Sequence, residues 1–228
     1  MLKHSLLLLF VLSSAAFSRQ APYVYPVTPA AGSSIGDFIP AGWSAIDTAS
    51  GDLNNDRRPD YAVVLEYPEQ TAIVRTFGQE TVEIEGRPRI LLVLLRSGND
   101  ALTRSCQSNT LILSETEGGM MGDPYDGIEI TKGILVVSFW GGSSEKWNLT
   151  YRFRYQNAGW FMIGATSGGG NAEASYSYDY NLVTGTIIIS RSKGDRDRVT
   201  RHSVKRSALP RLESYVPWSM SITDEMTF

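Results

Sequence analysis

The feature that most constrains the fold is a series of short β-favouring runs, each bounded by residues that form turns. No stretch of the chain carries apolar residues at helical spacing over three turns. The connections are rich in glycine and asparagine, as in SGND and QNAG. The sequence therefore predicts an all-β fold, or nearly so. The runs are YAVVLEY (61–67), RILLVLLRS (89–97), LTRSCQS (102–108), GIEIT (127–131), ILVVSFWG (134–141), WNLTYRFRYQ (147–156), WFMIGATSG (160–168) and TGTIIISR (184–191).

The runs fall into two groups, which predict two successive antiparallel meanders within a single β-rich domain over 37–228. The first meander spans about 37–115 and the second about 123–206. TYRFRYQ (150–156) alternates aromatic and polar residues, which is the period of a half-buried strand. A propeller needs a recurring motif, and no repeat of that kind is visible. We expect a sandwich-like or blade-like arrangement.

The first 36 residues have the composition of an export signal and a linker. A basic start, an apolar run of roughly ten residues and a small-residue ending make 1–18 typical of a secretory signal peptide. Residues 19–36 are rich in Pro, Ala, Ser and Gly, which predicts a flexible leader. No later stretch is long and apolar enough to span a membrane. We expect an exported protein, periplasmic or extracellular.

The scarcity of histidine and cysteine restricts the chemistry. His4 lies in the predicted signal peptide, which leaves His202 and Cys106 as the histidine and cysteine of the mature chain. A zinc site of the usual Cys/His kind is thereby excluded, and any metal ion is expected to be calcium held by oxygen. Cys106 has no internal disulfide partner and is expected to be buried. A net charge of −3 argues against nucleic acid as a partner.

The stretch GDLNNDRRPDYAVV (51–64) carries the strongest functional signal. Counted from Asp52 as position one, Asp52, Asn54 and Asp56 occupy positions one, three and five, and Asp60 occupies position nine. Arg58, at position seven, offers its backbone carbonyl. Alternate side chains of a tight loop point to a common centre, and Ca²⁺ takes six to eight oxygen ligands. The spacing therefore predicts a calcium loop.

This stretch resembles the calcium loop of FG-GAP and VCBS-type repeats, in which D-x-D/N-x-D-G-x-x-D leads into an apolar strand. FIPAGW before the loop and the segment 122–165 after it are similar to uncharacterised exported bacterial proteins that carry one such loop. The resemblance implies the same five ligands and a bound Ca²⁺. The chain departs from the calcium-loop pattern at Arg57, where glycine is usual. Val63 stands where a helix-flanked calcium loop has a bidentate glutamate, which excludes a helix-loop-helix site.

A second interpretation of the loop is a turn whose Asp and Asn side chains accept hydrogen bonds from the loop's own backbone. If calcium binds, we expect a structural role with an affinity on the order of 10⁻⁵ to 10⁻³ M, as in extracellular modules. The two interpretations differ in what a chelator does to stability.

Exposed aromatic residues indicate a second candidate site. Trp140 and Trp147 flank a Gly-Gly-Ser-Ser tip, and Tyr176 follows the glycine run 168–170. Such residues stack on sugars or contact a peptide, so we expect an envelope or extracellular ligand, either carbohydrate or protein. The alternatives are that the tryptophans pack as a cross-strand pair or cap the core, and that the tyrosines simply alternate along a strand.

The segment 191–206 holds seven basic residues and two aspartates, for a local charge of +5 with His202 neutral. Such a segment is suited to acidic polymers or an anionic envelope surface. A solvated hairpin at the end of the second meander is the alternative.

The sequence favours a non-catalytic protein that binds or scaffolds at the cell envelope. The alternative is a carboxylate-based enzyme acting on polysaccharide, either a glycoside hydrolase or a lyase, built on Asp123, Asp126, Glu129 or Asp179. An enzyme requires some of these carboxylates to converge in one concave site, whereas a binding module requires an exposed aromatic patch.

Overall fold

A computed structural model describes residues 21–77, 79–98 and 100–228, and it confirms the all-β prediction. The predicted signal peptide, 1–18, lies outside these residues. None of the helices in the described part of the chain is long and apolar enough to cross a membrane. The strands are β1 (Ala31–Gly32), β2 (Ser44–Gly51), β3 (Asp60–Glu66), β4 (Thr71–Phe77), β5 (Glu80–Gly86), β6 (Arg89–Arg96), β7 (Leu102–Ser108), β8 (Tyr125–Thr131), β9 (Ile134–Gly142), β10 (Lys146–Gln156), β11 (Gly159–Gly170), β12 (Ala174–Asn181), β13 (Thr186–Lys193), β14 (Arg196–Ser203), β15 (Ser221–Thr223) and β16 (Met226–Thr227), and the 3₁₀ helices are Ile35–Phe38, Gly119–Met121 and Leu212–Ser214.

The first sheet contains five antiparallel strands in the order β1-β7-β6-β3-β2. It includes β1 from the N-terminal segment, which the sequence analysis placed outside the first meander. Strands β4 and β5 form a separate two-stranded hairpin inserted between β3 and β6. This hairpin was not among the predicted strands, although VEIEG (82–86) alternates apolar and charged residues as an exposed strand does.

The second sheet contains seven antiparallel strands in chain order, from β8 to β14, as expected for a meander. The alternation in β10 decides which residues face the core: Tyr151 and Phe153 are fully buried, whereas Arg152 and Arg154 lie on the other face. Strand β14 forms one edge of the sheet and is exposed along most of its length. The far end of the second sheet is therefore open to solvent.

The two sheets pack face to face around a shared apolar core. Strands β2 and β8 lie next to each other, and Asp47 joins them by accepting hydrogen bonds from the Tyr125 hydroxyl at 2.8 Å and the Ile128 N–H at 3.2 Å. Cys106 lies in this core and is buried, as the sequence predicted. The main core residues are Leu53, Ala62, Val64, Leu91, Val93, Leu135, Val137, Phe139, Leu149, Tyr151, Phe153, Trp160 and Met162.

The predicted flexible leader, 19–36, has a defined place over its described part. The Tyr23 N–H donates to the Ala72 carbonyl at 2.8 Å, and the rings of Tyr23 and Tyr25 pack with Trp43 and Tyr67. Farther along, Ala31–Gly32 pairs with β7. The segment thus lies on the outer face of the first sheet.

This covering explains why β3 and β6 read as continuous apolar runs. Val63, Leu65, Ile90, Leu92 and Leu94 form a second apolar cluster on the outer face and are fully buried there. A strand that is buried on both faces shows no polar alternation. The N-terminal segment therefore covers the outer face of the first sheet, as helices cover sheet faces in many other folds.

The last residues of the chain return to the core. Leu212, Tyr215 and Phe228 are buried, and the Tyr215 hydroxyl donates to the Phe228 carbonyl at 2.8 Å. The hairpin β15–β16 places Glu225 3.0 Å from the guanidinium of Arg191 on β13. This contact brings the C-terminal hairpin to the open end of the second sheet.

Candidate functional sites

The predicted calcium loop connects β2 to β3, and three of its side chains turn onto its own backbone. The Asp56 N–H donates both to Asp52 Oδ1 at 3.2 Å and to Asn54 Oδ1 at 3.0 Å. Asp52 Oδ2 accepts the Arg57 N–H at 2.9 Å, and Asp56 Oδ1 accepts the Arg58 N–H at 2.9 Å. The oxygens of Asp52, Asn54 and Asp56 therefore gather around one short stretch of backbone.

Asp60, the predicted ligand at position nine, acts as an internal anchor. It is fully buried, its Oδ2 accepts the Leu53 N–H at 2.9 Å, and its Oδ1 accepts the Arg96 N–H at 2.8 Å. Burial raises the pKa of the Asp60 carboxyl, the two N–H bonds lower it, and the charges of Asp56 and Asp52 raise it further. Asp60 thus fastens the loop to the end of β6, a role that the sequence did not indicate.

The backbone of the loop bends sharply at two residues. Asn55 and Arg57 have φ values of 63° and 68°, in the left-handed region. Asparagine tolerates this region, but for arginine it costs roughly 1–2 kcal/mol. Arg57 therefore occupies the bend that glycine usually takes, at an energetic cost. The Arg58 side chain donates to the Ser97 carbonyl at 2.8 Å, away from the other loop side chains.

The donor set of the loop suits calcium in its chemistry, because all its candidate ligands are oxygens. An ionised carboxylate has about four lone-pair sites, so one hydrogen bond to each oxygen leaves further acceptor capacity on Asp52 and Asp56. Within the described residues, no three His, Cys, Asp or Glu side chains come together as a metal ion would require. Asp52 is half-buried and Asp56 is exposed, whereas Asp60 is fully buried between two backbone N–H groups.

The three predicted aromatic binding residues lie at one end of the second sheet, but in different roles. Trp140 and Tyr176 are exposed. Trp147 is half-buried and packs edge-on against Trp218, with ring centroids 4.8 Å apart, so it caps the core. Trp140 faces Asn148 across the strands, so the tryptophans are not a directly opposed pair. All three residues border a surface cavity of about 370 Å³.

Tyr176 lies across a glycine of the neighbouring strand. It is paired in register with Gly169, and a Cβ at that position would come within 2.9 Å of the Tyr176 hydroxyl oxygen. The glycine run thus ends β11 and leaves room for an aromatic ring that is 42% exposed. Tyr178, on the same face two residues later, is buried, with its ring centroid 5.3 Å from that of Tyr176. The tyrosines alternate along a strand and also provide an exposed ring.

A larger cavity of about 580 Å³ adjoins Tyr176 at the open end of the sandwich. We call it the basic cleft, and its defining residues are Tyr176, Tyr178, Arg191, Lys193, Arg196 and Arg198. These side chains share one face, because Tyr176 pairs with Arg191, Arg191 with Arg198, and Lys193 with Arg196. A smaller cavity of about 240 Å³, bordered by His202 and Thr200, continues along β13 and β14.

The cations of the basic cleft are poorly neutralised. Arg191 pairs with Glu225, which is 76% exposed. The side chains of Lys193, Arg196 and Arg198 have no hydrogen-bonding or ion-pair partner within the described part of the chain. The sequence signal for this site was the basic segment 191–206, and its alternation along a hairpin selects the residues that face the cleft. The link to Tyr176 follows only from strand pairing.

Of the candidate catalytic carboxylates, Asp179 lies far from Asp126 and Glu129. Asp126 and Glu129 lie on β8, whereas Asp179 lies on β12, four strands away in the sheet. Four strand spacings amount to roughly 19 Å, about twice the largest separation used by glycoside hydrolases. Asp179 accepts a hydrogen bond from the Thr166 hydroxyl at 2.8 Å.

Asp123 belongs to a structural ion-pair network. Its carboxylate pairs with the guanidinium of Arg89, which also donates to Glu66 at 2.8 Å. Burial pushes the pKa of Asp123 up, but the bonds from Arg89 and the Tyr125 N–H outweigh this effect and hold it below its usual value. A carboxylate held ionised in this way is unsuited to serve as a general acid.

Comparison with protein-family models, with curated proteins and with solved structures found no match to this chain. The resemblance of the loop to FG-GAP and VCBS-type repeats therefore stays a prediction from 51–64 and its flanking segments.

Proposed function

We propose that this chain is an exported, non-catalytic binding protein that acts in the periplasm or outside the cell. Its ligand site is the basic cleft together with the neighbouring Trp140, and the loop 51–60 holds a structural calcium ion. The observation that carries the proposal is the exposed ring of Tyr176 beside cations without partners, in a cavity at the open end of the sandwich. Ligand sites combine a concave surface with a few convergent polar groups.

The alternative of a carboxylate enzyme has less support. Asp179 lies four strands away from Asp126 and Glu129, and Asp123 is paired with Arg89. By contrast, the cleft gathers residues from β12, β13 and β14 whose shared feature is the capacity to stack and to bind anions. A binding role therefore matches the aromatic and basic side chains that line the cavity.

The proposal is tested by retention of a panel of probes on the immobilised mature chain. The panel comprises neutral glycans, acidic glycans, an acidic peptide and anionic vesicles. We expect at least one probe to be retained, and its retention to fall about tenfold in Tyr176→Ala or Arg198→Gln. Arg154→Gln, on the opposite face of the second sheet, is the matched control. Retention that neither cleft substitution changes would show that the cleft is not the binding site.

The calcium proposal rests on the oxygen donors of Asp52, Asn54 and Asp56, with the Arg58 carbonyl as the fourth predicted ligand. A bound Ca²⁺ would neutralise the two carboxylates and fix the connection between β2 and β3. The hydrogen bonds that already curl the loop reduce the ordering that binding requires. The role is structural, so no step of ligand binding at the cleft depends on it.

Calcium at 100-fold above its dissociation constant should stabilise the folded chain by about 2.7 kcal/mol. We expect millimolar calcium to raise the melting temperature relative to EDTA, and Asp56→Ala to abolish the rise. Asp100→Ala, at an exposed carboxylate outside the loop, is the control and should keep it. Arg57→Gly should raise the melting temperature with or without calcium, because it removes the left-handed arginine. Equal melting temperatures in calcium and EDTA for the unmodified chain would leave the loop as a turn.

A further inference from the structure

We propose that the ligand of the basic cleft is an acidic polysaccharide, with its carboxylate groups on Arg191 and Arg198 and a sugar ring stacked on Tyr176. The inference rests on the proposed function, since it names the ligand class of that same site. Three properties of the cleft support it: its charge, its exposed aromatic ring and its hydroxyl and amide groups.

The charge of the cleft is opposite to that of the chain. Five basic and two acidic side chains border the cavity, whereas the whole chain has a net charge of −3. Arg191 and Arg198 are directly paired across β13 and β14, with Cβ atoms about 5 Å apart. Like charges directly opposite each other destabilise a sheet. Glu225, which is 76% exposed, offsets part of this repulsion at Arg191. A carboxylate ligand offsets the rest, and guanidinium groups bind carboxylates through two parallel hydrogen bonds.

The aromatic surface of the cleft is a single ring. Tyr176 is 42% exposed, whereas Tyr178 beneath it is 4% exposed. The C–H face of a sugar ring stacks on such a surface. Single-stranded nucleic acid instead uses successive rings on which successive bases stack. The other exposed ring of the site, Trp140, lies outside the cleft with the Lys146 ammonium 5.7 Å from its centroid. The cleft itself therefore offers one ring to a sugar rather than a run of rings to successive bases.

The remaining polar groups of the cavity suit hydroxyl groups. Asn171, Ser175 and Ser192 border the cleft and supply amide and hydroxyl groups, which donate and accept hydrogen bonds. The second cavity, with Thr200 and His202, extends the surface along β13 and β14 and shares Arg191 and Arg198 with the first. An extended ligand that combines carboxylates with many hydroxyls matches this lining, and a polymer of uronic acids has this chemistry.

The test is calorimetric titration of the mature chain at low salt with an oligogalacturonate and with its fully methyl-esterified counterpart. The two probes have the same sugar backbone and differ in charge. We expect the acid form to bind at least about tenfold more tightly than the ester. Arg191→Gln and Arg198→Gln should each weaken binding of the acid form about tenfold. Arg201→Gln, on the other face of β14, is the matched control and should change it less than about twofold.

Tyrosine variants separate stacking from hydrogen bonding by the Tyr176 hydroxyl. Tyr176→Ala should weaken binding by about fivefold or more, whereas Tyr176→Phe keeps the ring and should bind as the unmodified chain does. Because Tyr176 is exposed, both variants should fold, which their melting temperatures will show. Equal binding by the alanine variant would overturn the stacking role.

The remaining outcomes distinguish failure of the ligand class from failure of the site. Equal binding of acid and ester, lost in Tyr176→Ala, would overturn the acidic ligand and leave the cleft as a glycan site. Tighter binding of polyglutamate or single-stranded DNA, lost in Arg198→Gln, would overturn the glycan and leave the cleft as an anion site. If oligogalacturonate, its ester, polyglutamate and single-stranded DNA all fail to bind, the inference is overturned. If the retention panel also shows no retained probe, the proposed binding site is overturned with it.

Discussion

Arg89→Ala should lower the free energy of unfolding by about 3–5 kcal/mol, the range for removing one partner of a buried ion pair. The Arg89 side chain is 2% exposed and is bonded to Glu66, Asp123 and the Leu113 carbonyl at 2.9 Å. Its removal leaves Glu66, which is 12% exposed, without its closest cation. Urea unfolding followed by tryptophan fluorescence measures the change.

The control for this prediction is Arg87→Ala. Arg87 is 45% exposed and lies 3.4 Å from the same Glu66, so its removal should cost less than about 1 kcal/mol. A loss no larger at Arg89 than at Arg87 would contradict the network. The effect also depends on pH, because the pKa of Asp123 is lowered in the folded state. The unmodified chain should be more stable than Arg89→Ala by the full amount above pH 3.8, the usual pKa of an aspartate. This difference in stability should narrow as the pH falls through the lower pKa that Asp123 has in the folded state.

Asp60→Ala should destabilise the chain by about 2–5 kcal/mol, because it leaves the Leu53 and Arg96 N–H groups without their acceptor. Asp60 is fully buried, so water cannot easily replace the carboxylate. The loss should be the same in EDTA, since the two hydrogen bonds are internal. Chemical unfolding with and without the chelator measures it.

Asp60→Asn and Asp100→Ala provide the comparison. The asparagine keeps one acceptor oxygen and should lose about half as much stability as the alanine. Asp100 is 84% exposed, and its replacement by alanine should cost at most about 1–2 kcal/mol, which comes from its left-handed φ of 63°. A destabilisation by Asp60→Ala that disappears in EDTA would indicate that Asp60 acts chiefly as a calcium ligand.

These two predictions concern Asp60 and the arginine that pairs with Asp123, and the sequence had suggested other roles for both aspartates. Asp60 was predicted as a metal ligand and Asp123 was weighed as a catalytic group, because both lie in aspartate-rich turns. Their partners, Arg96 and Arg89, are 36 and 34 residues away in the chain. No local pattern connects residues at that separation. The role of Asp60 depends on the pairing of β3 with β6, and that of Asp123 on the packing of the segment before β8 against β6.

The contacts of the N-terminal segment likewise involve residues that are distant in the chain. Its Pro, Ala, Ser and Gly content predicted a flexible leader. The stabilisation of the segment comes from Trp43, Tyr67 and the outer face of the first sheet. A segment that depends on a surface formed by distant strands cannot be identified from its own composition.

The sequence by itself determined the β class, the strand periodicity and the residues that face the core in β10, because the alternation of side chains is a local property of extended backbone. It also located the turn that curls around Asp52, Asn54 and Asp56. Tertiary structure decided which aspartates serve as anchors and which face of the first sheet is covered. It also placed Tyr176 beside Arg191 and Arg198, because strand register alone brings together residues from different strands.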